Sequence, residues 1–296
     1  VKDRSASSVI LDIVIHVSLL LLLIVTVFPI LHVAAISFSS SSAINRGIVT
    51  FYPRELNLDA YRKVWEAGTV PNSFKNSVLY TAVGTAINLT FTILMAYPLS
   101  KKGLPLKKLY MSMIIVTMFF GGGLIPNFLL VNNLGLYDTM WALILPGTIS
   151  TWNLVVMRTF FQNIPGEIEE SAYLDGANDM QILYKIVLPL SKASIATIGL
   201  FYAVGHWNSW FNALIYLKSN SKYPLQLVLR EIVIQGQMAR ELAEQGETAA
   251  WEEMGMVSVE SIKYATLFIS IIPMLIVYPF VQKYFVKGVM IGSLKG

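Results

Sequence analysis

Six long apolar segments are the feature that most constrains how this chain can fold. A helix that crosses a hydrocarbon layer about 30 Å thick needs about 20 mainly apolar residues, and six stretches of about that length carry few charges. They run approximately from Ile10 to Phe38, Ser77 to Leu99, Tyr110 to Val131, Thr139 to Phe161, Ser194 to Leu217 and Tyr264 to Phe285. The sequence therefore predicts an all-α integral membrane protein with six transmembrane helices, forming a single domain over residues 1–296.

The composition excludes several other classes of protein. Charged residues make up 14% of the chain, against roughly 25% in soluble domains. The net charge of +4 is scattered, whereas nucleic-acid binding needs clustered Lys and Arg. The absence of cysteine excludes disulfides and thiolate metal ligands. We therefore expect a lipid bilayer as the surroundings, with no nucleic acid as partner and no metal or cofactor in this chain.

The distribution of lysine predicts how the chain is oriented. The short segment 101–108 carries Lys101, Lys102, Lys107 and Lys108, whereas the short segment 132–138 carries no basic residue. Basic residues in short loops stay on the cytoplasmic side. We therefore expect both termini in the cytoplasm and two long outer segments, 39–75 and 218–263. The second outer segment is predicted to be helical over Leu225–Gln235, and it is either a solvated helical loop or a docking surface for an external partner.

The inner segment Gln162–Lys192 has the sequence pattern of two short helices. Pro165 suits a helix start, and the three acids Glu167, Glu169 and Glu170 favour the positive end of a helix dipole. Gly176 provides a left-handed exit, after which Asn178 or Asp179 can cap a second helix. The apolar face of that second helix comprises Ile182, Leu183, Ile186 and Val187, and Pro189 is expected to end it. About thirty residues is far more than joining two spans requires.

The same segment resembles the EAA loop of ABC importer permeases. Its pattern is Glu170-Ser171-Ala172, three residues, Gly176, nine residues, then Ile186-Val187-Leu188-Pro189. Ser171 stands where the family usually has alanine, which is another small residue. The order of the spans, the stretch Phe51–Tyr61 and the C-terminal Val286–Gly296 extend the resemblance to the carbohydrate, maltose-type branch. We call Gln162–Lys192 the coupling loop.

Three further stretches resemble one group within that branch. They are Ala96-Tyr97-Pro98-Leu99-Ser100, the run Phe201–Leu217, and Tyr223-Pro224-Leu225-Gln226-Leu227. They are similar to permeases for complex or uronic-acid oligosaccharides, alginate importers among them. An oligosaccharide is therefore the expected substrate.

The resemblance implies a permease subunit of an ATP-driven importer in the bacterial cytoplasmic membrane. It implies a second homologous permease, two ATP-binding cassette ATPase subunits and an extracytoplasmic solute-binding protein that delivers the sugar. This chain lacks the phosphate loop G-x-x-x-x-G-K-[ST], so ATP and magnesium are expected on the ATPase. The residues implied to couple this chain to the ATPase are Glu169, Glu170, Ser171, Ala172, Asp175, Gly176, Leu188 and Pro189.

Polar and aromatic residues within the spans predict the sugar path. His206 lies about 16 Å from the inner end of its span, at 1.5 Å per residue, and polar groups at that depth are costly unless they face the bundle or water. The candidates are Tyr202, His206, Asn208, Ser209, Trp210 and Asn212 in the fifth span, Asn88 in the second, and Trp152 and Asn153 in the fourth. Helical spacing predicts that one face of this span carries Gly199, Tyr202, His206, Ser209 and Tyr216, and that a neighbouring face carries Asn208 and Asn212. Interhelical hydrogen bonding is the alternative role of these residues.

The third span is expected to break at Gly121-Gly122-Gly123, near mid-depth, and such a break must be buried in protein or line a cavity.

Three other functions are left open. Only the resemblance to the carbohydrate branch argues against an ABC permease for a non-sugar solute. An intramembrane enzyme lacks H-E-x-x-H, G-x-S-x-G and paired acids within a span. A secondary transporter would carry internal repeats and mid-span ionisable residues.

Overall fold

A computed structural model describes residues 6–244 and 259–293, and helices dominate this part of the chain. The helices are α1 (Ala6–Ser37), α2 (Ser41–Asn45), α3 (Asp59–Glu66), α4 (Thr69–Ser100), α5 (Lys107–Phe119), α6 (Leu124–Asn133), α7 (Trp141–Ile144), α8 (Thr151–Gln162), α9 (Gly166–Leu174), α10 (Asp179–Leu190), α11 (Lys192–Trp207), α12 (Phe211–Tyr216), α13 (Leu225–Glu244) and α14 (Val259–Ser293). Among these residues, extended backbone pairs only at the isolated bridge between Ser39 and Leu56. The predicted all-α class is confirmed, and so is the helix over Leu225–Gln235. The acidic residues Glu247, Glu252 and Glu253 lie outside the described residues.

Within residues 6–244 and 259–293, three helices are long and apolar enough to cross a membrane by themselves. They are α1, α4 and α14, the last over Val259–Pro279. Two bent pairs pass the same test when each pair is counted together: α5 with α6, bent by 111°, and α10 with α11, bent by 83°. The bend between α5 and α6 lies at Gly121–Gly123, with Gly123 at φ +83°. The expected break of the third span is confirmed.

The fourth predicted span, Thr139–Phe161, is interrupted. A 3₁₀ turn over Leu145–Gly147 follows α7, and α8 begins only at Thr151. Pro146 cannot donate the hydrogen bond that would continue a helix, and the Ser150 hydroxyl caps the new helix by accepting from the Asn153 N–H. With 12 residues, α8 is about 18 Å long. The count of six complete spans therefore stays a prediction.

The fifth predicted span is also interrupted, between α11 and α12. Helix α11 ends at Trp207 and α12 begins at Phe211. Helical periodicity does not continue across this break. The expectation that Ser209 and Tyr216 share one helical face with residues of α11 is therefore wrong.

The chain divides into two compact units, Val1–Pro71 with Leu229–Ile272, and Asn72–Val228 with Pro273–Gly296. The first has a small core around Ala35, Ala43 and Ile44. The second has a larger core, in which the coupling loop packs on α4, α8 and α11. Its buried members are Ala96, Tyr97, Leu99, Leu154, Met157, Phe161, Ala172, Ile182, Leu183, Val187, Ile198 and Tyr202.

Asp138 ties two loops of the second unit together. Its carboxylate accepts hydrogen bonds from the backbone N–H groups of Lys218 and Ser219, at 2.9 and 3.0 Å, and from Lys222 Nζ at 2.8 Å. The Lys222 bond, followed by those from Ser219, holds the pKa of Asp138 well below its ordinary value of 3.8. The segment 218–222 is therefore anchored by one carboxylate.

We expect the Asp138→Asn variant to lose the acid dependence that this carboxylate gives to stability. A depressed folded-state pKa stabilises the fold above the unfolded-state pKa, near pH 4, and this contribution is lost as the pH falls toward the folded-state pKa. Melting temperatures of the purified chain in detergent, measured from pH 7 to pH 3, should fall more steeply for the wild type than for the variant. Parallel curves would contradict the prediction.

Candidate functional site

The coupling loop turns sharply at Gly176. Helix α9 ends at Leu174, the Ala177 N–H donates to the Ala172 carbonyl at 2.9 Å, and the Gly176 N–H donates to the Tyr173 carbonyl at 3.0 Å. This pair of bonds is a Schellman motif. It places Gly176 at φ +81°, and no other part of the chain lies within 4 Å of the position a Cβ would take. The predicted left-handed exit is confirmed, and glycine is needed there for its backbone rather than for space.

Helix α10 begins with a capping box and continues further than predicted. The Asn178 side chain accepts from the Gln181 N–H, and the Gln181 side chain accepts from the Asn178 N–H, both at 2.9 Å. The expectation that Pro189 ends this helix is wrong. A π-helical turn over Leu183–Val187 precedes Pro189, which takes the second position of a new short α-helical segment ending at Leu190. A first-turn N–H needs no helical partner, so proline is tolerated there.

The coupling loop buries one face and exposes the other. Ile182, Leu183 and Val187 are buried, Ile186 is half-buried, and Ala172 of α9 is buried beside them. The predicted apolar face is therefore confirmed. Of the residues assigned to coupling, Glu169 and Leu188 are half-buried, and those exposed are Glu170, Ser171, Asp175, Gly176 and Pro189.

Large apolar side chains also lie on the exposed face of the loop. Leu174 is 90% exposed, and Met180 and Tyr184 on α10 are exposed as well. Exposed apolar patches of this kind mark surfaces that bind another protein. We call Leu174, Met180 and Tyr184 the coupling patch. Sequence reasoning missed it, because the periodicity of the two helices directs attention to their buried faces.

Cationic side chains donate hydrogen bonds to carbonyls at one end of α4. This end carries Ser100, and we call it the inner end of α4. Arg158 Nε donates to the Leu99 carbonyl at 3.0 Å, and Lys107 Nζ donates to the Ser100 carbonyl at 3.3 Å. Burial and the nearby Arg158 lower the pKa of Lys107. Cations suit this position because the last carbonyls of a helix have no helical partners and carry its negative dipole end. Arg158 therefore holds a helix end.

Several residues assigned to the sugar path are instead packed between helices. The Asn88 amide nitrogen lies 3.3 Å from His206 Nε2 and 3.4 Å from the Gly147 carbonyl oxygen. The Tyr202 hydroxyl lies 2.8 Å from Thr92 Oγ1 and accepts from the Ser150 N–H at 3.0 Å. Asn88, Tyr202 and Asn153 are buried, and His206 is half-buried. Their geometry favours interhelical bracing.

Other residues assigned to the path lie open. Asn208, Asn212 and Trp152 are exposed, and Ser209 and Trp210 are half-buried at the break before α12. Phe201 and Gly205 on α11 are exposed too. Phe201 and Gly205 are four residues apart and therefore share one face of α11, and Asn208 directly follows the end of this helix.

We expect the Gly84→Ala variant to destabilise the bracing. A Cβ at Gly84 would lie 2.5 Å from His206 Nε2, so the ring must move and Asn88 loses a partner, a cost of about 1–3 kcal/mol for a buried polar group. The melting temperature of the purified chain in detergent should fall by roughly 3–8 °C. Gly205→Ala is the matched control, because no other atoms lie within 4 Å of its Cβ position. Equal melting temperatures would argue against a tight contact at Gly84.

Comparisons with known proteins agree on one kind of protein. The sequence model of a family described as "Binding-protein-dependent transport system inner membrane component" matches residues 88–291. The polygalacturonan/rhamnogalacturonan transport system permease protein YtcP of Bacillus subtilis is 43% identical over 286 residues, covering 96% of this chain and 98% of that protein. Protein LplC of the same organism is 43% identical over 272 residues, covering 92% of this chain and 90% of LplC. A solved structure, "a bacterial ABC transporter involved in the import of the acidic polysaccharide alginate", contains a chain that is 34% identical, with a TM-score of 0.86, 96% of this chain covered and 100% of that one.

Proposed function

This chain belongs to the family of binding-protein-dependent transport system inner membrane components. We propose that it carries an acidic oligosaccharide across the cytoplasmic membrane. It is the permease component of an ABC importer and not an enzyme. Such a permease works with an ATPase and with a solute-binding protein.

We propose the finer arrangement of the assembly as follows. A second homologous permease pairs with this chain, and two ATPase subunits bind on the cytoplasmic side, where they hold ATP and magnesium. This chain forms one domain with six spans and has both termini in the cytoplasm. The four lysines of segment 101–108 support this orientation. The short helices α7 and α12 complete the interrupted fourth and fifth spans.

The observation that carries the proposal is the coupling loop. It presents the coupling patch outward while its other face is anchored in the core of the second unit. A rigid pair of helices with an unsatisfied apolar surface suits a groove on another protein. In an importer that protein is the ATPase, whose closure would then move α4, α8 and α11 as a packed group. Glu170, Ser171, Asp175 and Gly176 lie on the exposed face, in positions suited to contact the ATPase.

Leu174→Ser tests this role. Because Leu174 is 90% exposed, its loss should change the stability of the purified chain by no more than about 0.5 kcal/mol. If Leu174 anchors the ATPase, co-purification of ATPase subunits with the permease should fall roughly tenfold, as for a binding hot spot.

Leu134→Ser is the matched control, since Leu134 is 61% exposed and lies in the segment 132–138, on the side opposite to the lysine-rich loop. The control should retain the ATPase. An ATPase that stays bound to the Leu174→Ser permease at wild-type levels would contradict docking at the coupling patch.

The substrate class is inferred from two relatives of this chain. One carries "polygalacturonan/rhamnogalacturonan" in its name, and the solved neighbour imports "the acidic polysaccharide alginate". Galacturonan and alginate are both chains of uronic acids, so the shared chemistry is a sugar ring bearing a carboxylate. We therefore propose an oligosaccharide of uronic acids as the cargo.

Within this chain, the path is proposed along the exposed residues Trp152, Asn208 and Asn212, with Ser209 and Trp210 beside them. Amide groups can hydrogen-bond sugar hydroxyls, and a flat indole ring can stack on a sugar ring. Asn88, Asn153, Tyr202 and His206 then brace the wall of the path from behind. Arg158 is engaged at the inner end of α4, so we propose that the second permease neutralises most of the negative charge of the cargo.

A panel of oligosaccharides tests the substrate class. The assembled importer, with its solute-binding protein, is reconstituted in proteoliposomes, and ATP hydrolysis is measured with short oligogalacturonates, oligoalginates and maltotriose. We expect stimulation by an acidic member and none by maltotriose, which matches in size but has no carboxylate. Stimulation by maltotriose alone would refute the acidic class while leaving the importer function intact.

A further inference from the structure

Lys101 joins the coupling loop to α4. It lies directly after the last residue of α4, and its Nζ forms an ion pair with the Glu169 carboxylate of α9. The two side chains are only 22% and 19% exposed, so water screens this pair less than it screens a surface ion pair. The two residues are 68 positions apart in the chain.

Aromatic rings enclose the ammonium group of Lys101. Its Nζ lies 4.2 Å from the centre of the Tyr97 ring and 5.8 Å from that of the Tyr173 ring, both within the range of a cation–π interaction. Tyr97 and Lys101 are four residues apart, and so are Glu169 and Tyr173. Each pair therefore lies on one side of its chain segment, and the two pairs interdigitate.

Tyr173 extends this contact to the second coupling helix. Its hydroxyl donates to the Asp179 carboxylate at the start of α10. That bond raises the pKa of Tyr173 to about 12, so the hydroxyl keeps its proton and remains a donor at physiological pH. One cation thus connects the end of α4 to α9 and, through Tyr173, to α10.

Helix α4 continues from this point to the opposite side of the second unit. It has 32 residues and is therefore about 48 Å long. Near its other end, the Asn76 amide donates to the Ser221 carbonyl at 2.8 Å and the Tyr80 hydroxyl donates to the Lys222 carbonyl at 2.9 Å. The segment that Asp138 anchors is therefore also held by α4.

We infer that Lys101 is a positioning residue that transmits the movement of the coupling loop into α4, and through α4 to the outer segment 218–222. This inference rests on the proposed docking of the ATPase on the coupling loop. Apolar packing of Ala172 and Leu183 keeps the loop seated, but apolar contacts have no fixed direction. The ion pair and the enclosing rings fix where α9 lies along α4, so a displacement of α9 displaces α4 rather than sliding past it.

The test uses the complete importer in proteoliposomes with its solute-binding protein and a short oligogalacturonate, or whichever member of the oligosaccharide panel stimulates it most. Lys101→Met keeps the apolar stem and removes the charge, and Glu169→Gln removes the other charge. Lys101→Met should retain the ATPase subunits and basal ATP hydrolysis. Glu169 lies in the coupling loop itself, so Glu169→Gln is compared with Lys101→Met only by the amount of sugar moved per ATP hydrolysed. Sugar-stimulated hydrolysis and the amount of sugar moved per ATP should fall roughly tenfold, as for the loss of a partly buried ion pair.

Lys102→Met is the matched control, because Lys102 is the adjacent lysine and is exposed. It should behave as the wild type. Lys101→Arg should retain coupling, and the reversed pair, Lys101→Glu with Glu169→Lys, should recover part of what each single variant loses. If Lys101→Met misfolds, Glu169→Gln and the reversed pair still decide the matter.

Two results would overturn the inference. One is a Lys101→Met importer that moves as much sugar per ATP as the Lys102→Met importer. The other is complete loss of the ATPase subunits from the Lys101→Met importer, because Lys101 would then maintain the docking surface rather than transmit movement. A wild-type complex that assembles without the ATPase on the coupling loop would instead refute the proposed function.

Discussion

The second unit depends on the hydrogen bonds that α4 makes along its whole length. A helix end leaves carbonyls without helical partners, and cationic side chains can satisfy them. At the inner end of α4, Arg158 and Lys107 take this role. At mid-length, Asn88 and Thr92 contact α11 and the 3₁₀ turn after α7. Because one continuous helix makes all these contacts, α8, α11 and the coupling loop are each positioned relative to α4.

The interrupted helices are subject to the same requirement, that backbone groups without helical partners must find other hydrogen-bond partners. A break exposes backbone groups, which are tolerated at membrane depth only where protein or a water-filled cavity meets them. At the first of two breaks, after α7, the Gly147 carbonyl lies 3.4 Å from the Asn88 amide, so a side chain of α4 meets this carbonyl although Leu145, Pro146 and Gly147 are exposed. At the second, before α12, Asn208 is exposed and Ser209 is half-buried. The first break is therefore tied to α4, and the second leaves the side chain of Asn208 accessible, as the proposed path requires.

Local features of the coupling loop could be predicted from the sequence, whereas its attachments could not. The cap at Asn178, the exit at Gly176 and the apolar face of α10 each depend on a few neighbouring residues, so sequence is sufficient. The passage of α10 through Pro189 depends on a π turn that no propensity indicates. The ion pair between Lys101 and Glu169 joins residues far apart in the chain, and many lysines were equally available. Long-range pairing is decided by packing, which a single sequence does not reveal.

The polar residues of α11 show why depth within a span is not sufficient to assign a sugar path. His206 and Tyr202 lie deep in the predicted span, and a deep polar side chain indicates either a cavity or an interhelical hydrogen bond. The two cases differ only in what the side chain faces. Gly84 lets the His206 ring approach α4, and Thr92 meets the Tyr202 hydroxyl, so both side chains are used within the unit. At Gly205 on α11, by contrast, a Cβ would meet no other atom of the described residues within 4 Å. The proposed path therefore follows the side of α11 where the backbone at Gly205 stays open, and Tyr202 and His206 lie behind it.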